Sequence, residues 1–512
     1  MDESKRGIGG HRPVTISRRR ALAAGGAAAA ALAGRAAPAI AEGQAAAAPP
    51  SPAFAHRGYY LTFMRMPTYG LGEWKRAVDC FASDGINTLV LWMAGGFRSR
   101  KFPETWRYNE EHENVRKDFA GDLIKYAQGK GVKVLLGFTP FGYDGANQYT
   151  LDRPHLRALK KDGTQIDEFG IHCWGWNLCP SKAESQRFMR EYVREMVADF
   201  YPGADGLLVE SSDYAICHCA DCRGQGGRGG FYEREFEFVR AVADDARAVR
   251  KDATVVVYPH YFSGSKVPGL DADAARQPFD PRWSLFFTPH SAPVERDLIG
   301  KARASLWSDD APALHGPEAI RARAIAARAA GVTGYVPSLE AFSYVPTRVE
   351  EGRRDQVGKR QTPFGFGWLP PERMPFDELP VRVNRVAFRE FSQDPALSFD
   401  AFKRRLGRDV FGGDFEAAWI DDLLLLRRAF FEGRTWYQPA PLASPDRVRL
   451  DRAAGRLKPP ALAALGAMLT EVERLTARHA HAETAARRDA HRIGRWLLDR
   501  WTAAERELLK AT

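Results

Sequence analysis

Gly203–Cys222 reads GADGLLVESSDYAICHCADC, and its first half decides the fold. Leu207, Leu208 and Val209 form a continuous apolar run after Pro202 and Gly203. That is the pattern of a short strand buried on both faces, as in a parallel sheet. Glu210 then stands at the C-terminal end of the strand. In a β/α barrel this end faces the loops that carry chemistry, so a carboxylate there is placed either for a reaction or for an ion pair at the barrel rim.

Outward from this stretch, short apolar runs alternate with amphipathic segments from Arg57 to about Ala341. The strands predicted are Tyr59–Met64, Thr88–Met93, Lys133–Phe138, Gly206–Glu210, Thr254–Tyr258, Ser284–Thr288, Ala304–Trp307 and Val332–Pro337, the sixth and seventh being the weakest. Between them lie helical patterns such as Lys182–Phe200, where Phe188, Tyr192, Met196 and Phe200 recur at i+4 beside Met189, Val193 and Val197. Eight such alternations specify an α/β fold, a (β/α)8 TIM barrel. It is expected over residues 57–379, after a linker at 42–56 and before a C-terminal helical domain at 380–512. In that last region Leu462, Leu465, Leu469, Val472 and Leu475 form a core stripe at helical spacing.

The N-terminal residues read as an address. Arg18, Arg19 and Arg20 precede an alanine-rich apolar run to Leu32, and Ala39-Ile40-Ala41 offers a small-x-small cleavage pattern. The order resembles a twin-arginine export signal over residues 1–41, so the mature chain is expected in the periplasm or outside the cell, with no membrane anchor. The formal net charge is +10. Residues 1–41 contribute seven cations against Asp2 and Glu3, which leaves about +5 for the rest. So mild an excess is no nucleic-acid footprint.

Carboxylates at strand ends carry the chemical signal. Besides Glu210, Asp309 and Asp310 follow the seventh strand and Glu340 follows the eighth, while Asp213 lies three residues past Glu210 in what is equally a turn. Glycoside cleavage needs two such carboxyls, at about 5–5.5 Å for retention of configuration or about 6.5–9.5 Å for inversion. Trp174, Trp176, Tyr214 and Trp307 are candidates for flat contacts with sugar faces, and Asn177, His260 and His290 for hydrogen bonds. Arg65, Arg98, Arg100 and Lys101 follow the first two strands and suggest an anionic sugar, or else a solvated basic loop.

The cysteines form a separate signal. Cys217, Cys219 and Cys222 pack three thiols into six residues, and Cys173 and Cys179 lie in the loop after the third strand. The spacing fits a structural zinc knuckle with Cys179, Cys173 or His218 as fourth ligand, and the rival is a disulfide formed after export. Cys80 reads as core. His56-Arg57-Gly58 is similar to the entry motif of glycerophosphodiester phosphodiesterases, but it precedes its strand and lacks the acidic partner downstream.

Asn177-Leu178-Cys179-Pro180-Ser181, a long helix, Ala204-Asp205-Gly206, and then Ser212-Asp213-Tyr214 leading to the three cysteines resemble bacterial barrel proteins related to glycoside hydrolases of the α-glucuronidase and β-hexosaminidase type. Arg389-Glu390-Phe391-Ser392-Gln393-Asp394-Pro395 is similar to the segment that closes those barrels. The paired Asp-Glu of hexosaminidases is absent, since Val209 precedes Glu210. The resemblance and the strand-end carboxylates together favour an exported glycoside hydrolase acting on oligo- or polysaccharides, and the carboxylates' places give Glu210 as general acid, Glu340 or Asp309 as nucleophile or base, and no catalytic cofactor. The alternatives are a carbohydrate-binding barrel without activity and a metal-dependent hydrolase. The second is opposed by the lack of a His-x-His pair at a strand end.

Overall fold

The computed structural model describes residues 51–63, 70–107, 110, 112–143, 145–166, 176–211, 217–223, 229–258, 280–289, 296–342, 344–346, 361–363, 375–435 and 438–510. Among the sequence expectations, residues 1–41, Arg65, Cys173, Trp174, Asp213, Tyr214, His260 and His290 lie outside these.

Eight parallel strands close into a barrel in sequence order. They are β1 His56–Leu61, β2 Thr88–Trp92, β3 Lys133–Phe138, β4 Gly206–Glu210, β5 Thr254–Tyr258, β6 Ser284–Phe287, β7 Ser305–Trp307 and β8 Gly334–Tyr335. The first begins three residues before its apolar run, because His56 and Arg57 make the closing pairs with Gly334 and Tyr335. His56 therefore sits at the N-terminal end of β1, on the side of the barrel opposite the active-site loops.

Strand alternation assigns each side chain a layer. Tyr59 faces outward, its ring 5.0 Å from Phe81 and 5.1 Å from Phe388. Tyr60 faces the lumen, 5.9 Å from Trp92. Gly137 on β3 leaves room for that tryptophan, since a Cβ there would stand 3.3 Å from Trp92 and from Val90. Gly206 opens β4 with φ +151°, and a Cβ on it would lie 1.8 Å from the carbonyl oxygen of Thr254 on β5. Only glycine lets those two strands meet there.

Ten helices of ten or more residues are present among the described residues. Six flank the barrel: α1 Leu71–Ser83, α2 Ala120–Gly129, α3 Ala183–Arg194, α4 Gly229–Val249, α5 Pro317–Ala330 and α6 Leu379–Gln393. The helix expected over Lys182–Phe200 changes pitch part-way, because α3 runs on as a π-helical turn over Glu195–Phe200. There Glu195 is buried and accepts from Ser99 Oγ (2.6 Å) and from the backbone N–H groups of Arg100 (2.9 Å) and Lys101 (3.3 Å). One carboxylate thus fastens the loop after β2 to the outer helical layer.

Helix α6 is part of the barrel's coat. Phe388 packs 5.0 Å from Tyr335 as well as on Tyr59. Arg385 pairs with the buried Asp84 at 2.5 Å, and Arg389 bridges Asp84 (3.3 Å) and Asp409 (2.7 Å). Beyond it lie α7 Phe399–Phe411, α8 Ala417–Phe431, α9 Pro459–Arg478 and α10 Ala485–Arg500. Leu462, Leu469, Val472 and Leu475 of α9 are buried, as their spacing requires. Among the described residues no helix is long and apolar enough to cross a membrane.

Candidate active site and cysteine cluster

Glu210 ends β4 and is half-buried. The Tyr60 hydroxyl on β1 lies 2.8 Å from its Oε2. Strands β1 and β4 are not neighbours, so this hydrogen bond spans the lumen and places Glu210 on the inner face at the C-terminal mouth. A phenol donates to a carboxylate and accepts from a protonated carboxyl, so the contact serves either charge state. Around it stand Trp92 and, 6.4 Å from that ring, Tyr143, a residue with φ +58° in the loop after β3. Trp92 Nε1 and Thr139 Oγ1, two residues past Gly137, are buried with no hydrogen-bond partner among the described residues.

Asp309 faces the other way. Its carboxylate accepts from Trp307 Nε1 (2.8 Å), from Tyr335 Oη (2.9 and 3.1 Å) and from the Ala311 N–H (2.8 Å). Tyr335 packs on Phe54 and Phe388, so the face shared by Trp307, Asp309 and Tyr335 is the one turned to the helices. Three donors on two oxygens make Asp309 a brace between the ends of β7 and β8. Ser338 continues the ladder beside Tyr60, and the N–H of Glu340 donates to its hydroxyl at 3.2 Å. Glu340 thus follows the inward-facing strand end next to Tyr60.

Three of the other expected substrate contacts lie in packed surroundings. Trp176 is buried, and the Arg157 guanidinium covers its ring at 3.2 Å. Asn177 is fully buried and Trp307 nearly so. Arg98 lies over Trp106 at 4.9 Å and Arg100 over Phe200 at 5.0 Å, on the loop that Glu195 fastens to the outer layer. Both arginines are exposed.

Ser211 points outward from the residue after Glu210 and donates to Glu235 of α4 at 3.0 Å. Glu235 is buried, and burial pushes its carboxyl up to about 7 from 4.5. A folded-state pKa above the unfolded one means stability is complete below about 4.5 and is lost as pH rises to about 7, by roughly 3 kcal/mol. Glu235→Gln is therefore expected to unfold at higher denaturant than the parent at pH 8 and to approach it at pH 4. A difference that does not change with pH would show that this carboxyl does not titrate in the window.

The cysteine cluster joins the loop after β3 to the loop after β4. Cys179 Sγ lies 3.6 Å from Cys217, 3.7 Å from Cys219 and 3.6 Å from Cys222, and the four sulfurs are all within 4.8 Å of one another. All four are free thiols. Cys179 accepts from Cys217, Cys222 and Ser181, which holds its thiol far below the ordinary range, while donation to Cys179 pushes Cys217 up to about 12. His218 enters through its backbone, donating to Leu159 O at 2.7 Å. Cys80 stands elsewhere, half-buried beside Asp377 at 3.0 Å.

Tyr60, Tyr143 and Glu235 escaped the sequence reading. Tyr59-Tyr60 was a visible signal, since one of two adjacent strand residues must face inward. Nothing local marked Glu235.

No protein-family model and no curated protein matches the sequence. Several solved structures are similar to it in part. A chitobiase from Flavobacterium johnsoniae is 11% identical, with 90% of this chain and 72% of that chain covered and a TM-score of 0.43. A GH138 enzyme targeting pectin rhamnogalacturonan II is 11% identical, with 90% and 57% covered and a TM-score of 0.49, so the chain spans little more than half its length. An O-GlcNAc hydrolase from Thermobaculum terrenum is 12% identical, with 88% and 82% covered and a TM-score of 0.45. At such identities and TM-scores no residue and no role carries over, and the barrel rests on this chain's own strand order.

Proposed function

We propose that the protein is an exported glycoside hydrolase in which Glu210 is the general acid and Glu340 the nucleophile or base. The observation that supports this best is the inward Glu210 at the mouth of the barrel, held across the lumen by Tyr60 at 2.8 Å. Cleavage requires a proton on the departing oxygen and a second carboxyl on the far side of the sugar carbon. Asp309, with three donors on its oxygens and its place on the helix-facing side, is the poorer second carboxyl. Trp92 and Tyr143 are the rings packed beside Tyr60 and, like Trp92 Nε1 and Thr139 Oγ1, they are buried, so they shape the floor beneath Glu210 and leave sugar contact to the loops above it.

The test is a screen of the protein against chromogenic glycosides and uronic-acid oligosaccharides, read as released sugar. Glycan binding without release from any of them would replace this reading with that of a carbohydrate-binding barrel. For an active substrate, Tyr60→Phe is expected to lower kcat/KM about 10- to 100-fold, the loss of one hydrogen bond to a charged group. Loss of a donor to the carboxylate raises the pKa of Glu210. If Glu210 delivers the proton, the alkaline limb of the pH–rate profile moves upward; movement of the acidic limb instead would make Glu210 the base. Export is tested by the N-terminus of protein recovered outside the cytoplasm, expected near residue 42.

A further inference from the structure

We infer that Cys179, Cys217, Cys219 and Cys222 hold one zinc ion that staples the loop after β3 to the loop after β4, the loop that follows Glu210. Zinc bound by four thiolates at about 2.3 Å has sulfur–sulfur edges of about 3.8 Å, whereas a disulfide brings two sulfurs to about 2.05 Å. The three contacts of Cys179, at 3.6, 3.7 and 3.6 Å, match the edges of the tetrahedron. The ligands also come from two places in the chain, Cys179 lying 38 residues before Cys217 and 43 before Cys222. Such a set locks one loop to another, which three cysteines within six residues cannot do alone.

The surroundings suit the charge that four thiolates carry. Ser181 Oγ stands 2.9 Å from Cys179 Sγ and 3.5 Å from Cys219 Sγ, and the Leu159 N–H points at Cys217 Sγ from 3.4 Å. Donors of this kind orient and stabilise thiolate ligands. On binding, each remaining thiol yields its proton to solvent and its lone pair to the metal. With all four positions filled by protein the ion has no place for substrate, so its role is structural.

The staple lies in a small knot of backbone hydrogen bonds. Cys179 N–H donates to Leu156 O (2.7 Å), Ala158 N–H to Asn177 O (2.7 Å), Leu178 N–H to Phe141 O (2.8 Å) and His218 N–H to Leu159 O (2.7 Å). Residues 156–166 and 176–179 are thereby joined to the segment that begins seven residues after Glu210. The strand ladders of the barrel do not pass through this knot, so loss of the ion releases the loops and leaves the barrel standing.

The experiment takes the full chain, purified without chelator, and needs no enzymatic activity, so its outcome is independent of the hydrolase reading. Elemental analysis should find about one zinc per chain. Removal of zinc under reducing conditions should make four more thiols reactive and open protease cleavage within residues 150–181 or 211–223, with the far-ultraviolet circular dichroism retained. Cys219→Ser, at the half-exposed ligand, should retain zinc at least tenfold more weakly, while Cys80→Ser should hold it as the parent does. Should Cys219→Ser fail to fold, cobalt exchanged into the parent chain decides, with the intense visible bands of a tetrahedral tetrathiolate expected. Protein that contains no zinc and whose cluster thiols are disulfide-bonded overturns the proposal, as does cobalt bound without those bands. Zinc removal that leaves the loops as protease-resistant as before overturns the staple.

Discussion

Glu210→Gln is expected to cut turnover by about 10²-fold or more, because the amide keeps the shape of the acid and cannot deliver a proton. Folding should survive, since Glu210 is half-buried at a strand end and its Tyr60 partner can donate equally to an amide oxygen. The measurement is kcat on the best substrate from the glycoside screen, set beside the thermal unfolding of both proteins. Glu340→Gln should lose comparably, and Asp309→Asn should instead lower the melting temperature, because its brace to Trp307 and Tyr335 is structural. A Glu210→Gln protein that keeps most of its activity would return Glu210 to an ion pair at the rim.

The largest expected loss of stability is at Gly206. A methyl group 1.8 Å from Thr254 O and 2.6 Å from its carbonyl carbon has no flexible side chain to push aside, only the backbone of β5. The φ of +151° is also one that residues with a Cβ rarely adopt. Gly206→Ala must therefore part β4 from β5, and the cost should exceed about 4 kcal/mol, the range of severe substitutions. Equilibrium denaturation, or the yield of folded protein, reads this directly. A variant within about 1 kcal/mol of the parent would mean that the strands shift at little expense.

Much of the fold could be read from the chain because barrel strands are short apolar runs between helical patterns, and that contrast is local. β1 was harder: His56 and Arg57 belong to it only through pairs with Gly334 and Tyr335, which no local pattern reveals. The candidate site was legible to the same extent. Glu210 follows an apolar run, and the cysteines announce themselves by spacing. Which way a carboxylate turns was not stated by its position alone, although Asp309 stands two residues from Trp307 and so shares its face. Trp176 looked like a loop aromatic free to meet a ligand, and its cover, Arg157, lies too far back in the chain for pattern to link them.

The pairing of His56 and Arg57 with Gly334 and Tyr335 also bears on how the chain reaches this state. Those two rungs join the first strand to the last across almost the whole barrel sequence, and such a contact carries the largest loop-closure entropy of any strand pair in the barrel. The neighbouring pairs from β1 to β7 are local by comparison and can assemble as an open sheet. The seam is then a late event of folding. Because Tyr60 sits on one side of that seam and Ser338 on the other, the proposed catalytic face comes into existence only as the seam zips shut.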